Sequence, residues 1–195
     1  MELLNACLKF LFWLFFCFAG FYLVILVLSD AEALCRMERD RKERFRRQTL
    51  ASDELFRELP VSILIPAHNE ESSLCAGIDT LLRLDYPVYE IIVVNDGSTD
   101  RTLETLLDAF PLKQIGLNPT ELLPARPILG VYRCKIGGIP ITVVDKEAGG
   151  KADALNAGIN FCRYAHFTAV DADTVLPYDS LKKIAFPFAE KPETV

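Results

Sequence analysis

Two features of the chain beyond its first sixty residues predict an α/β fold built on a doubly wound sheet. Short β-branched runs, VSILIP at 61–66 and EIIVV at 90–94, alternate with segments whose leucines recur at helical spacing. Strand, helix, strand, helix in that order implies parallel pairing through right-handed crossovers. A third feature stands apart: Phe10 to Leu28 is nineteen residues without a charge, close to the roughly 20 that cross a hydrocarbon core as a helix.

The apolar run has two readings. AEA at 31–33 imitates the cleavage site of a secretory signal peptide. Its length, the acidic Asp30 and Glu32 beside that site, and a leader with only Lys9 against Glu2 favour a retained anchor. Arg36, Arg39, Arg41, Lys42, Arg44, Arg46 and Arg47 follow it, and this asymmetry puts the C-terminal side in the cytoplasm, at the plasma (inner) membrane. Interleaved Glu38, Asp40 and Glu43 make the basic stretch a solvated juxtamembrane helix rather than a headgroup site. The organisation expected is a short tail (1–9), a transmembrane helix (10–28), a basic linker (29–59) and one folded domain (60–195).

In that domain Pro60 opens the first strand, and Asn69 is positioned to cap a helix carrying Leu74, Ile78, Leu81 and Leu82 through Leu84. DYP at 85–87 stops it. The second strand, 90–94, leads to Ser98, Thr99 or Asp100 as caps of a helix reaching Phe110, with Leu103, Leu106 and Leu107 inward. Pro111 to Pro127 is a proline-punctuated connection. A hairpin turning at Gly137 and Gly138 follows, then a helix over 151–164, a buried strand over 167–171, and a last helix from about Asp179 broken by Pro187.

Net charge −6 offers no field for a nucleic-acid backbone, so an anionic ligand must be met by local devices. The six cysteines form no C-x-x-C pair and the two histidines, His68 and His166, are far apart, which points neither to zinc nor to a disulfide framework. Ligands of doubly wound sheets sit beyond the carboxyl ends of the strands, so the residues just after each strand carry the interest. Asp171 and Asp173, two apart on an extended segment, point the same way and suit Mg2+ or Mn2+, although Asp-x-Asp is also common in turns. Asp96 leaves the second strand, where a carboxylate accepts from a nucleobase imide or ribose hydroxyl. NDGSTD at 95–100 serves equally as a turn and helix cap. Gly149, Gly150 and Lys151 let backbone approach an anion, without the pattern of a Walker loop.

In combination, VSILIPAHNEE, LLRLDYPVYEIIVVNDGSTD, GGKADALNAGI and AVDADT resemble the family 2 glycosyltransferases, membrane-bound inverting enzymes of GT-A fold that include polysaccharide synthases. The resemblance covers about 61–192. It implies that Ala67, His68, Glu70 and Asp96 meet the uridine of a UDP-sugar of the UDP-glucose or UDP-N-acetylglucosamine type. Lys151 then meets the donor's phosphates or sugar, and Asp171 with Asp173 meets a metal-bound diphosphate. It also implies a polysaccharide or lipid acceptor at the membrane, and a general base and acceptor motif beyond Val195. Asn95 stands where the family commonly has aspartate. Two alternatives compete: a truncated, non-catalytic nucleotide-binding chain, and a haloacid dehalogenase-like phosphatase in which Asp171 of VDADTV is the nucleophile.

Overall fold

The computed structural model describes residues 2–50, 56–57, 59–116 and 122–190, with side chains at 9–43 in the first stretch and up to 189 in the last. It divides into two compact units, Met1–Leu50 and Ala51–Val195. The first is one helix, α1 (Glu2–Leu50). Its apolar side chains stand out on every side, from Trp13 at 71% exposure to Leu26 at 42%, and Lys9–Glu43 contains a stretch long and apolar enough to cross a membrane. The expected anchor and juxtamembrane helix are thus continuous. Glu32 and Arg36 at 3.7 Å, and Glu38 and Arg41 at 3.6 Å, are the one-turn pairs that the interleaved charges allow. Residues 51–55 and 58 of the expected linker lie outside the described residues, but Phe56 is fully buried in the second unit, so that unit reaches back before residue 60.

The second unit is built on a six-stranded sheet. In chain order its elements are β1 (Val61–Ala67), α2 (Leu74–Leu81), β2 (Tyr89–Asp96), α3 (Thr102–Ala109), β3 (Lys113–Ile115), β4 (Ile128–Ile136), β5 (Ile139–Lys146), α4 (Lys151–Asn160), β6 (His166–Ala169) and α5 (Ser180–Glu190). The strand order is β3-β4-β5-β2-β1-β6. The four strands β5, β2, β1 and β6 are parallel, whereas β3, β4 and β5 pair antiparallel, so the sheet is mixed. The hairpin at Gly137–Gly138 produces that difference, because a two-residue turn can only join antiparallel strands.

Alternation along the central strands builds two cores. Ile63, Ile65, Ile91 and Val93 face Leu74, Ile78, Leu81, Leu106, Leu181 and Phe186, while Leu64, Ile92, Val94 and Val144 face Ala154 and Ala157 of α4. With both faces covered, these strands read as unbroken apolar runs, and each fully buried Ile or Leu contributes about 1.5–3 kcal/mol.

Several boundaries differ from expectation. Asn69 does not cap α2, which starts after Ser73. Asn69 takes the left-handed region (φ 58°), where its short amide is tolerated. The helix over 151–164 ends at Asn160. The strand over 167–171 is the edge strand β6, which stops at Ala169 and is half exposed. Pro187 lies inside α5 without breaking it. The lost ladder bond is outweighed by the burial of Leu181, Ala185 and Phe186. The opaque connection contributes β3 and a segment, 122–127, that returns along α4.

Gly97 closes β2 in the left-handed region (φ 58°), and a Cβ there would lie 2.6 Å from the Ala148 nitrogen. Gly97→Ala is therefore expected to lower the unfolding free energy by about 2 kcal/mol or more. Urea denaturation of the detergent-solubilised chain measures it, and an unchanged midpoint would contradict this packing.

Candidate functional site

The parallel registers bring the carboxyl ends of β1, β2 and β5 to one edge: Ala67 lies beside Asn95, and Asp96 beside Lys146. β6 ends lower, pairing Ala169 with Leu64, so the chain after it climbs past the end of β1. A cleft of about 760 Å³ opens at this edge. Ala67, His68, Glu70, Asp96, Lys151, Asp171 and Asp173, all the residues selected from sequence, line it, together with Arg126.

The loops after β1 and β2 are clasped together. Asn69 Oδ1 accepts from the amides of Thr99 (2.8 Å) and Asp100 (3.4 Å), and its own amide donates to Ser98 Oγ (3.0 Å). The Glu70 amide donates to Thr102 Oγ1 (2.9 Å), while Asp100 accepts from the amides of Thr102 and Glu71. Asp100 thus covers the start of α3 from one residue before its formal cap, Arg101. The Glu70 carboxylate accepts from Ser73 Oγ at the start of α2. His68 Nδ1 donates to the Asp96 carbonyl at 2.8 Å, which leaves Nε2 as the acceptor nitrogen. Asn95 donates to Asp145 Oδ1 at 2.7 Å. An aspartate at 95 would set two carboxylates face to face, so this departure from the family pattern is matched by its neighbour.

Asp96 is buried and already engaged. Its Oδ1 takes Lys146 Nζ (2.5 Å) and the Gly149 amide (2.9 Å), and its Oδ2 takes the Gly150 amide (2.7 Å). Oδ2 keeps one acceptor position. Lys146 is fully buried and also meets Asp153 Oδ2 at 2.6 Å and the Glu147 carbonyl at 2.6 Å. Burial alone would raise the Asp96 carboxyl, but the bonds from Lys146, Gly149 and Gly150 hold it below the usual carboxylate value. Asp153 is lowered in the same way: burial is opposed by Lys146 and the Arg126 amide.

At the other end Lys151 Nζ meets Asp171 Oδ1 at 2.6 Å, with both side chains more than half exposed. Such a pair contributes about 0–1 kcal/mol and yields readily to a ligand. Asp171 and Asp173 do not lie on an extended segment. They occupy a turn closed by the Thr174 amide on the Asp171 carbonyl (3.0 Å). Buried Ala172 points inward between them, its carbonyl against Gly77, which leaves the two flanking carboxylates outward. Among the described residues no three His, Cys, Asp or Glu side chains converge on one point.

Sequence reasoning passed over Lys146, Asp153 and Arg126. Lys146 reads as the polar end of a hairpin strand, and only its register with Asp96 reveals it.

A family model described as glycosyl transferase family 2 matches residues 62–118 and 131–195. Poly-beta-1,6-N-acetyl-D-glucosamine synthase of Staphylococcus epidermidis is 29% identical over 150 residues, 76% of this chain and 30% of that protein. The synthase of the same name from Staphylococcus aureus strain COL is 29% identical over 120 residues, 62% of this chain and 23% of that protein. The crystal structure of S. aureus TarS 1-349 in complex with UDP-GlcNAc matches with a TM-score of 0.49 and 20% identity, over 67% of this chain and 31% of that one. The chain thus spans under a third of the length of these relatives.

Removing the buried cation leaves two carboxylates without their partner. Lys146→Met is expected to destabilise the second unit by about 3–5 kcal/mol near neutral pH. Both carboxyls are lowered in the folded state, so their contribution is complete above about pH 4 and lost as pH falls through the lowered values. Denaturation midpoints of wild type and variant across pH 3–7 should therefore converge on the acid side; a constant gap would contradict the assignment.

Proposed function

The chain belongs to the family 2 glycosyltransferases, and on that premise we propose that its cleft binds a UDP-sugar and a divalent cation for inverting transfer of the sugar to a polysaccharide or lipid acceptor. The observation that carries this reading is the convergence of Asp96, Lys151, Asp171 and Asp173 from three strand ends on one cleft. Family membership displaces the phosphatase alternative. The similarity to poly-N-acetylglucosamine synthases makes UDP-N-acetylglucosamine the first donor to try.

Each residue has a chemical task in this proposal. Asp96 Oδ2 accepts from the nucleoside, and the loop over Ala148–Gly150, tied down by Asp96, exposes its backbone to the nucleotide. Lys151 leaves Asp171 and turns to the diphosphate, which frees that carboxylate. Asp171 and Asp173 would hold Mg2+ or Mn2+, which takes one or two carboxylates and completes its shell with phosphate oxygens and water rather than a protein cage. When bound, that ion neutralises the diphosphate and stabilises charge on the leaving nucleotide. The residues present fit it: two hard oxygens on one turn, and a cleft whose acids, Glu70, Asp96, Asp171 and Asp173, outnumber its lysine and arginine.

In this reading α1 anchors the donor domain, the second unit, to the inner membrane with that domain on the cytoplasmic side, in keeping with the basic residues that follow Leu28.

Calorimetric titration of the full chain in detergent with UDP, with and without Mn2+, tests the reading. Mn2+ should tighten UDP binding, and Asp171→Asn or Asp173→Asn should remove about tenfold or more of that gain. Unaltered Mn2+ dependence in both variants would overturn the metal assignment, and absence of UDP binding by the wild type would overturn the donor reading itself.

A further inference from the structure

The family model passes over residues 119–130, and the described part of that stretch delivers a cation to the cleft. Asp153, Asn156 and Asn160 lie on one face of α4, three, then four residues apart. Asn160 Oδ1 accepts from the amides of Leu122 (3.1 Å) and Leu123 (2.9 Å), and its Nδ2 donates to the Leu123 carbonyl (2.8 Å). Asn156 Nδ2 donates to the Pro124 carbonyl (3.0 Å). Asp153 accepts the Arg126 amide on both oxygens at 3.1 Å. Five hydrogen-bonded backbone groups fix this segment, so the position of Arg126 is built rather than incidental.

From there the Arg126 side chain passes over Gly149, where a Cβ would come within 2.9 Å of its Cγ, and it lines the cleft. Arg126 is exposed, and its charge acts on Asp153 without closing into a side-chain hydrogen bond or ion pair among the described residues. The other cations of the site are occupied: Lys146 by Asp96 and Asp153, Lys151 by Asp171.

Position along the cleft decides what Arg126 meets. Asp171 and Asp173 follow β6, while Arg126 sits on Gly149, just past the end of β5. The strand order β5-β2-β1-β6 sets these two groups on opposite sides of Asp96, which ends β2. A nucleotide with its diphosphate at Asp171 and Asp173 therefore has its nucleoside toward Asp96 and Arg126. We propose that Arg126 is a specificity-determining residue that recognises the uracil end of the donor nucleotide, an inference that rests on the donor reading above. Asp96 Oδ2 accepts the imide N–H, and the guanidinium, a donor at every position, serves the neighbouring carbonyl or lies on the ring face.

The test compares uridine with UDP, using the full chain in detergent, ligand-observed NMR for uridine and calorimetry for UDP. Arg126→Ala should weaken both ligands by the same factor, about tenfold or more. The thermal midpoint should stay unchanged, because the side chain is exposed and its backbone bonds remain. Arg126→Lys, which keeps the charge but loses the planar fork, should recover only part of the affinity. Loss of UDP affinity with uridine unaffected would mean a diphosphate contact and overturn the proposal, as would unchanged affinity for both. A wild-type chain that binds neither ligand would instead refute the donor reading on which the proposal stands.

Discussion

A fully buried ammonium group between two carboxylates holds this cleft together. Lys146 lies at the end of β5, Asp96 beside it at the end of β2, and Asp153 in the first turn of α4. Removing a lysine from water costs several kcal/mol, which a single surface-type contact cannot offset. Two carboxylates and a carbonyl within 2.6 Å can, and in doing so they fix three separate elements to one point. The amides of Gly149 and Gly150 then fall to Asp96, so the loop that faces the cleft inherits its shape from the buried charge. Gly97 belongs to the same arrangement, since any larger residue would push Ala148 away from the end of β2.

Around this fixed centre the ligand-facing groups divide by strength. The network around fully buried Lys146 is largely shielded from solvent. The Lys151–Asp171 pair, more than half exposed, is screened and weak. A cleft with a rigid floor and an exchangeable ion pair at its rim is preorganised where it must hold shape and adaptable where that pair is exposed. The clasp between the loops after β1 and β2, built on Asn69 and Asp100, adds rigidity at the ends of those strands, and neither of its two residues lines the cleft.

Much of this was legible in the residues. Unbroken β-branched runs announced strands covered on both faces, helical spacing of leucines announced α2 and α3, and the residues following those strands marked the cleft. What escaped has a physical reason in each case. A buried lysine carries no local signal, because its burial depends on a register with a strand fifty residues earlier. Arg126 lies in a stretch whose prolines conceal that α4 holds it by side chains. Asn69 suits a cap by type, but the tight turn after β1 sent its amide across to the loop at Thr99 and Asp100. Asp171 and Asp173 do share the cleft, but a turn around buried Ala172, not an extended strand, keeps both carboxylates outward. Pro187 shows that burial on one helix face can outweigh the loss of one ladder bond.

On the proposed function, a nucleoside diphosphate and a divalent cation occupy this cleft together, with the metal at the Asp171–Asp173 turn. Crystals of the chain grown with UDP and Mn2+, with diffraction recorded at the manganese absorption edge, address it most directly. The expected result is an anomalous peak about 2.1 Å from a carboxylate oxygen of Asp171 or Asp173 and from the diphosphate, with uracil toward Asp96. Nucleotide bound elsewhere, or a manganese peak away from both aspartates, would rule out this assignment of the cleft.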